Sequence, residues 1–201
     1  MKTSSRKERE LLQRRDEIFE AVLRLLSRNG IQGVTMNKIA NEAEFSVGTL
    51  YNLFGSKETL YEQLAEIKLA EFHTLLTGAL ATPTDEVDKI KAWLSEKIRL
   101  YTKHKDHITL FFAETMAQEF GIKTGFKNEI IKQRQDILSR VTAIFNSGIE
   151  KGIFIDRDPY SLTIALDGMA NAMIFESFED KVEVSADKIM ELFFDSVLKV
   201  A

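Results

Sequence analysis

Apolar residues recur at intervals of three and four along nearly the whole chain, the period of an amphipathic helix. Ile18, Ala21, Val22 and Leu25 form one such stripe, predicting a helix from about Glu8 to Arg28 that stops at Gly30. Ile39, Ala40 and Ala43 give a short second helix behind Thr35, and Leu50 and Phe54 give a two-turn third helix, Val47–Phe54, behind Ser46. A fourth helix behind Ser56 carries Leu60, Leu64, Ile67, Leu75 and Leu80 and stops before Pro83, which disfavours a helical residue ahead of it.

The second half continues the period. Thr84 or Asp85 opens a helix with Val87, Ile90, Trp93, Leu94, Ile98 and Tyr101, and a Phe- and Met-rich helix is expected over Ile108–Phe120. A long helix follows from Phe126 to about Lys151. Pro159, at the first helical position, opens another over Tyr160–Phe178, and Ser185 caps a last helix to Leu198. Strand-like alternation is confined to Ile153-Phe154-Ile155. The expected fold class is therefore all-α, with nine helices.

Three short polar residues, Thr35, Ser46 and Ser56, each precede an apolar-periodic stretch, where a side-chain oxygen accepts an orphan N–H of the first turn. The helix behind Ser46 turns Leu50 and Phe54 inward and leaves Gly48, Thr49 and Asn52 on another face. Two short helices joined by a tight turn, the second with a small polar outer face, is the arrangement that lays a helix in the DNA major groove.

Charge sharpens that picture. The 201 residues carry a net charge of −4, which alone argues against a nucleic-acid partner. Residues 1–58, however, hold 10 Lys and Arg against 8 Asp and Glu, and residues 59–201 hold 17 against 23. Lys2, Arg6, Lys7, Arg9, Arg14 and Arg15 crowd the first fifteen residues. A basic end on an acidic body suits a DNA reader whose other domain does something else. The expected division is a DNA-binding helix-turn-helix domain at 1–58 and an effector-binding and dimerisation domain at 59–201.

The head resembles the TetR family of bacterial transcriptional regulators. The resemblance lies in Gly30, the start Thr35-x-x-x-Ile39-Ala40, Ala43, and the run Ser46-x-Gly48-Thr49-Leu50-Tyr51-x-x-Phe54-x-Ser56-Lys57-Glu58-x-Leu60, covering roughly residues 10–65. It implies a nine-helix fold in which three N-terminal helices bind DNA and the others enclose an effector pocket and form a homodimer. Carried over residue by residue, it places Val47, Gly48 and Thr49 near base edges and Thr35, Ser46, Tyr51, Asn52 and Lys57 near phosphates. Two positions depart from the pattern: Glu44 stands where the turn usually has glycine, and Leu53 where a polar histidine is common.

Small residues at Ala165, Gly168 and Ala172 share one stripe and permit close helix–helix approach, and the last helix has two apolar faces, with Ile189 and Phe193 on one and Val197 on the other. These are the expected dimer residues. The candidate pocket residues are Trp93, Phe111, Phe112, Glu114, Met116, Phe145, Met169 and Met173, with Phe120, Asp167 and Asn171 beside them. Aromatic and Met side chains at this spacing also serve as plain core.

The chain has no cysteine, so disulfides, thiolate metal sites and cysteine nucleophiles are excluded. His104 and His107 straddle an expected helix break, and no HExxH pattern, Gly-rich phosphate loop or GxSxG elbow occurs. Neither enzyme, metal, cofactor nor membrane span is expected. The expectation is a cytoplasmic, homodimeric, effector-responsive regulator, most simply a repressor on a palindromic operator. The alternatives are an activator, a chromosome-organising DNA binder, or an effector-binding protein that keeps the head without an operator.

Overall fold

The computed structural model describes residues 5–30, 33–82, 84–105 and 124–195, and every regular element among them is a helix. These are α1 (Arg6–Asn29), α2 (Met36–Glu42), α3 (Val47–Phe54), α4 (Lys57–Leu80), α5 (Glu86–Lys103), α6 (Thr124–Glu150), α7 (Pro159–Ser177) and α8 (Ala186–Phe194). The helix expected over Ile108–Phe120 lies outside the described residues. The described residues up to Ile67 form one compact unit, and those from Lys68 on form another.

The helix ends follow the capping chemistry. Ser5 accepts the Glu8 N–H while Glu8 reaches back to the Ser5 N–H (2.7 Å), a capping box that starts α1 before the expected Glu8. Thr35, Ser46, Asp85, Asp158 and Ser185 each accept the N–H three residues on, and Ser56 does the same for Thr59. Pro159 occupies the start of α7, where its missing N–H costs nothing.

In the first unit, α1 lays Ile18, Val22, Leu25 and Leu26 against Ile39 and Ala40 of α2, Leu50 and Phe54 of α3, and Leu60 and Leu64 of α4. Arg24 and Arg28 of α1 both pair with Glu42 of α2, at 2.9 and 3.5 Å. In the second unit, α5 packs against α6, α7 and α8 around Ile90, Trp93, Leu94, Val141, Phe145, Leu166 and Ile189.

After α6 the chain folds back through the expected strand-like residues. Gly152 takes φ 74°, and the Ile153 N–H reaches the Gly148 carbonyl (2.8 Å), closing the helix in a Schellman motif. Phe154, fully buried, then lies over the α6 backbone at Gly148, where an added Cβ would stand 2.2 Å from its ring. Ile153-Phe154-Ile155 thus forms a core-filling return rather than a strand.

Candidate functional site

The turn between α2 and α3 sets how α3 is presented. Its pattern is a full Schellman motif, with the Phe45 N–H on the Ala40 carbonyl (2.9 Å) and the Glu44 N–H on that of Asn41 (3.3 Å). That motif requires a left-handed residue at its hinge, and Glu44 supplies it with φ 60°. Phe45 then packs against the head's core, which fixes the exit direction. The glycine missing from the sequence pattern is therefore replaced by a strained glutamate in the same geometry.

Beyond the turn, Ser46 caps α3: the Thr49 N–H donates to its Oγ (3.1 Å), and the two hydroxyls lie 2.8 Å apart. Gly48, Tyr51 and Asn52 are exposed, and Thr49 is half-buried. A Cβ built on Gly48 would meet nothing nearer than Ser46 Oγ at 3.8 Å, so nothing within the chain requires glycine there. Tyr51, expected near a phosphate, is 51% exposed. Val47, expected near bases, is half-buried against the head's core, as is Leu53, because the short helix needs more apolar anchors than Leu50 and Phe54 alone.

Thr35 and Lys57, expected near phosphates, are brought to one place. Lys57 Nζ donates to the Val34 carbonyl (3.3 Å), and Lys38 Nζ to that of Gly33 (2.7 Å), just ahead of the Thr35 cap. The Lys57 ammonium also lies 5.6 Å from the centre of the Tyr61 ring. Arg15 hydrogen-bonds Gln63 and covers the Phe54 ring at 5.3 Å, a role the sequence did not signal.

The second unit holds a different kind of polar cluster. Asp167 of α7 is 5% exposed and accepts from Lys97 of α5, 4% exposed, through one oxygen. Its other oxygen accepts from Arg134 of α6 (3.0 Å) and from Asn171 (3.3 Å). Lys97 Nζ lies 5.1 Å from the Trp93 ring centre and 5.7 Å from that of Tyr101. Burial acts to raise the Asp167 pKa, but the charges and hydrogen bonds of Lys97 and Arg134 outweigh it and hold the carboxyl below its usual range. Burial pushes the Tyr101 phenol up to about 12.

Of the expected pocket residues, Trp93 belongs to this cluster, with Asp167 and Asn171 beside it. Met169 and Met173 are half-buried against the unit's core. Phe145 is plain core, its ring centre 5.3 Å from Phe154 and 6.2 Å from Phe193. Phe111, Phe112, Glu114, Met116 and Phe120 lie outside the described residues. Lys97, Tyr101 and Arg134 went unanticipated. The available signal was a lysine on the apolar stripe Ile90, Trp93, Leu94, Lys97, Tyr101.

Of the expected dimer residues, Ala165, Gly168 and Ala172 are exposed along one face of α7, and a Cβ on Gly168 would meet nothing within 4 Å. Ile164 lies on the same face, 37% exposed, and Leu192 of α8 is 54% exposed. Ile189 and Phe193 are instead buried in the chain's own core, which takes them off any surface a partner would touch. Val197 lies outside the described residues. Among the described residues no three metal-ligating side chains gather, and no helix is long and apolar enough to cross a membrane.

Two family models match the chain: bacterial regulatory proteins of the tetR family over residues 18–64, and a tetracyclin repressor-like C-terminal domain over residues 83–200. The transcriptional repressor SCO4008 of Streptomyces coelicolor is 28% identical, over 92% of this chain and 91% of its own. The nicotine-responsive repressor HdnoR of Paenarthrobacter nicotinovorans is 23% identical, over 80% and 78%. Among solved structures, a transcriptional regulator of Saccharomonospora viridis in complex with choline shares the fold with a TM-score of 0.79 at 16% identity, covering 94% of this chain and 99% of that one. The regulator PfmR of Thermus thermophilus matches with a TM-score of 0.71 at 20% identity, over 89% and 94%.

Proposed function

The chain belongs to the TetR family of DNA-binding transcriptional regulators, and we propose that it represses by holding a palindromic operator as a homodimer until a small-molecule effector releases it. The observation that carries the DNA contact is the outer face of α3. Gly48 is exposed, a Cβ there would make only an ordinary contact with Ser46 Oγ, and Thr49 and Asn52 adjoin it. A glycine that no internal contact requires leaves room for a duplex to approach the backbone closely.

In this reading Gly48 and Thr49 face base edges, while Val47 supports α3 from below and reaches the groove only with its outer edge. Ser46, Tyr51 and Asn52 meet phosphates beside α3. Thr35 and Lys57 meet another at the segment joining Val34 to α2, where the helix N-terminus favours an anion. The head takes residues 1–58 and the effector and dimer functions take 59–201. The family is one of regulators, and no catalytic role is assigned to any residue.

Homodimerisation is supported by the exposed face of α7, where Ile164, Ala165, Gly168 and Ala172 form a small apolar stripe, with Leu192 exposed on α8. Two copies joined there would present paired recognition helices for half-sites about one helical turn apart. The repressors SCO4008 and HdnoR support repression, and the nicotine response of HdnoR supports control by a small molecule. A regulator of this kind works in the cytoplasm, where its operator is.

Selection of bound fragments from random DNA tests the proposal. A palindromic consensus is expected, and no enrichment even at low salt would sink it. Sedimentation at micromolar concentration is expected to give a dimer, and a monomer would overturn the α7 interface.

A further inference from the structure

We propose that the cluster of buried Lys97, Asp167 and Trp93 with exposed Arg134 and half-buried Asn171 is the polar end of the effector site, and that the effector is an organic anion, a carboxylate. The inference rests on the effector-responsive reading above and adds to it the chemical class of the ligand.

Charge makes the first part of the case. Two cations, Lys97 and Arg134, share the single carboxylate of Asp167, and among the described residues no other acid pairs with either. Lys97 and Asp167 form a buried one-to-one pair, and Arg134, its side chain 59% exposed, adds the second positive charge beside it. Burial pulls the Lys97 pKa down against the opposing pull of Asp167. A second carboxylate would complete a set of two cations and two anions.

Unspent hydrogen-bonding capacity makes the second. Trp93 is 1% exposed, yet its indole Nε1–H has no hydrogen-bond partner among the described residues. Such a buried orphan costs about 1–3 kcal/mol and calls for an explanation. The Lys97 ammonium has three donors and, among the described residues, one hydrogen-bond partner, Asp167, with two aromatic faces beside it. Arg134 offers a guanidinium fork of which, among the described residues, one nitrogen is engaged. The buried oxygen Asn171 Oδ1 also lacks a partner among the described residues, and Asn171 is tied to the cluster by its bond to Asp167.

The same groups disfavour other ligand classes. A cationic ligand would have to displace Lys97 from Asp167 and from both aromatic rings, adding a third positive charge to the cluster. A neutral ligand would fill space but leave the charge imbalance as it is. An anion answers the surplus of cations and the orphan indole together.

The chain's single tryptophan is Trp93, so its emission reports on the site alone. Purified full-length protein, without DNA, is titrated with octanoate, dodecanoate and 3-phenylpropanoate below micelle-forming concentrations, each beside the alcohol and amine with the same tail. At least one carboxylate is expected to shift Trp93 emission saturably and to bind about tenfold or more tighter than its matched alcohol and amine, as one charge-assisted contact provides. Arg134→Gln, at a side chain 59% exposed, is expected to erase about tenfold of carboxylate affinity and leave the alcohol unchanged. Trp93→Phe, followed by calorimetry, keeps a smaller aromatic ring and removes the N–H, and should weaken the carboxylate likewise. The proposal is overturned if no carboxylate binds, if an amine binds as tightly, or if both variants keep full carboxylate affinity. DNA selection on the unliganded protein is a separate readout. Operator binding without carboxylate binding overturns this inference alone, and carboxylate binding without DNA enrichment overturns only the repressor reading.

Discussion

Ser46 and Asp167 show how differently the two units use their polar side chains. Ser46 is exposed and serves its own helix, taking an N–H three residues on. Asp167 is buried and joins three helices, through Lys97 on α5, Arg134 on α6 and its own position on α7. A local cap is cheap to form and modest in value, whereas a buried ionic junction is expensive to assemble and more expensive to half-remove. The head thus carries its candidate chemistry outside, and the second unit keeps its polar junction inside, where the proposed ligand would act.

Removing one partner from each tests this most severely. Asp167→Ala leaves the buried Lys97 without its carboxylate and is expected to cost about 3–5 kcal/mol. Ser46→Ala is expected to cost about 1 kcal/mol. Denaturant unfolding followed by Trp93 emission and by circular dichroism measures both. The double replacement Lys97→Met with Asp167→Leu should recover most of the loss, because an apolar pair of similar volume avoids the desolvation penalty. If Asp167→Ala proves the milder single change, the contrast between the units is wrong.

The next test makes one substitution at two glycines. Gly148→Ala drives a methyl into the Phe154 ring, 2.2 Å away, and should destabilise by about 1–3 kcal/mol as overpacking does. Gly48→Ala makes only an ordinary contact at an exposed helix position, so it should leave stability unchanged or raise it by up to about 1 kcal/mol. It should weaken operator binding nonetheless, in a mobility-shift titration, by holding the duplex away from α3. A Gly48→Ala protein with full DNA affinity would remove the observation on which the DNA contact rests.

Glu86 offers a pH test within the second unit. Hydrogen bonds from Lys151 and Ser147 hold its carboxyl down to about 2 from a usual value of 4.5. A carboxyl whose folded pKa is depressed stabilises the fold above its unfolded pKa and loses that contribution as pH falls toward the folded one. Wild type should therefore exceed Glu86→Gln in stability by about 1.5 kcal/mol at pH 7, the worth of a hydrogen bond to a charged group. The gap should narrow between pH 4.5 and pH 2 in thermal melts. A gap constant across that window would show that Glu86 acts by shape rather than by charge.

What could be read in advance divides along the same line. Caps, the two-turn α3 and the end of α4 at Leu80 follow from neighbours within four residues, so their residue types announced them. Asp167 and Asn171 could be named as candidates, but their partner Lys97 lies 70 residues from Asp167. No local rule links such positions, and a lysine on an apolar stripe was the only trace. Ile189 and Leu192 illustrate the same limit. Both are apolar on one short helix, and the packing of α8 against α5 and α7 decides that Ile189 goes inside and Leu192 out.

Glu44 is the point where the head's local grammar is strained, and it gives the finest test. Its left-handed conformation costs an L-residue about 1 kcal/mol that glycine would not incur. Glu44→Gly should accordingly stabilise the head by about that amount, whereas Glu44→Gln keeps both the side chain and the strain and should not. The charge follows the opposite division. Glu44 is exposed in the turn that presents α3, so in the proposed seating its carboxylate would oppose the approach of phosphates. Both substitutions remove it, and both should strengthen operator binding to a similar degree at low salt, with the gain fading as salt screens the charge. If only Glu44→Gly tightened binding, the turn's geometry would be limiting. If neither did, the bound duplex would lie farther from this turn than the proposed seating of α3 requires.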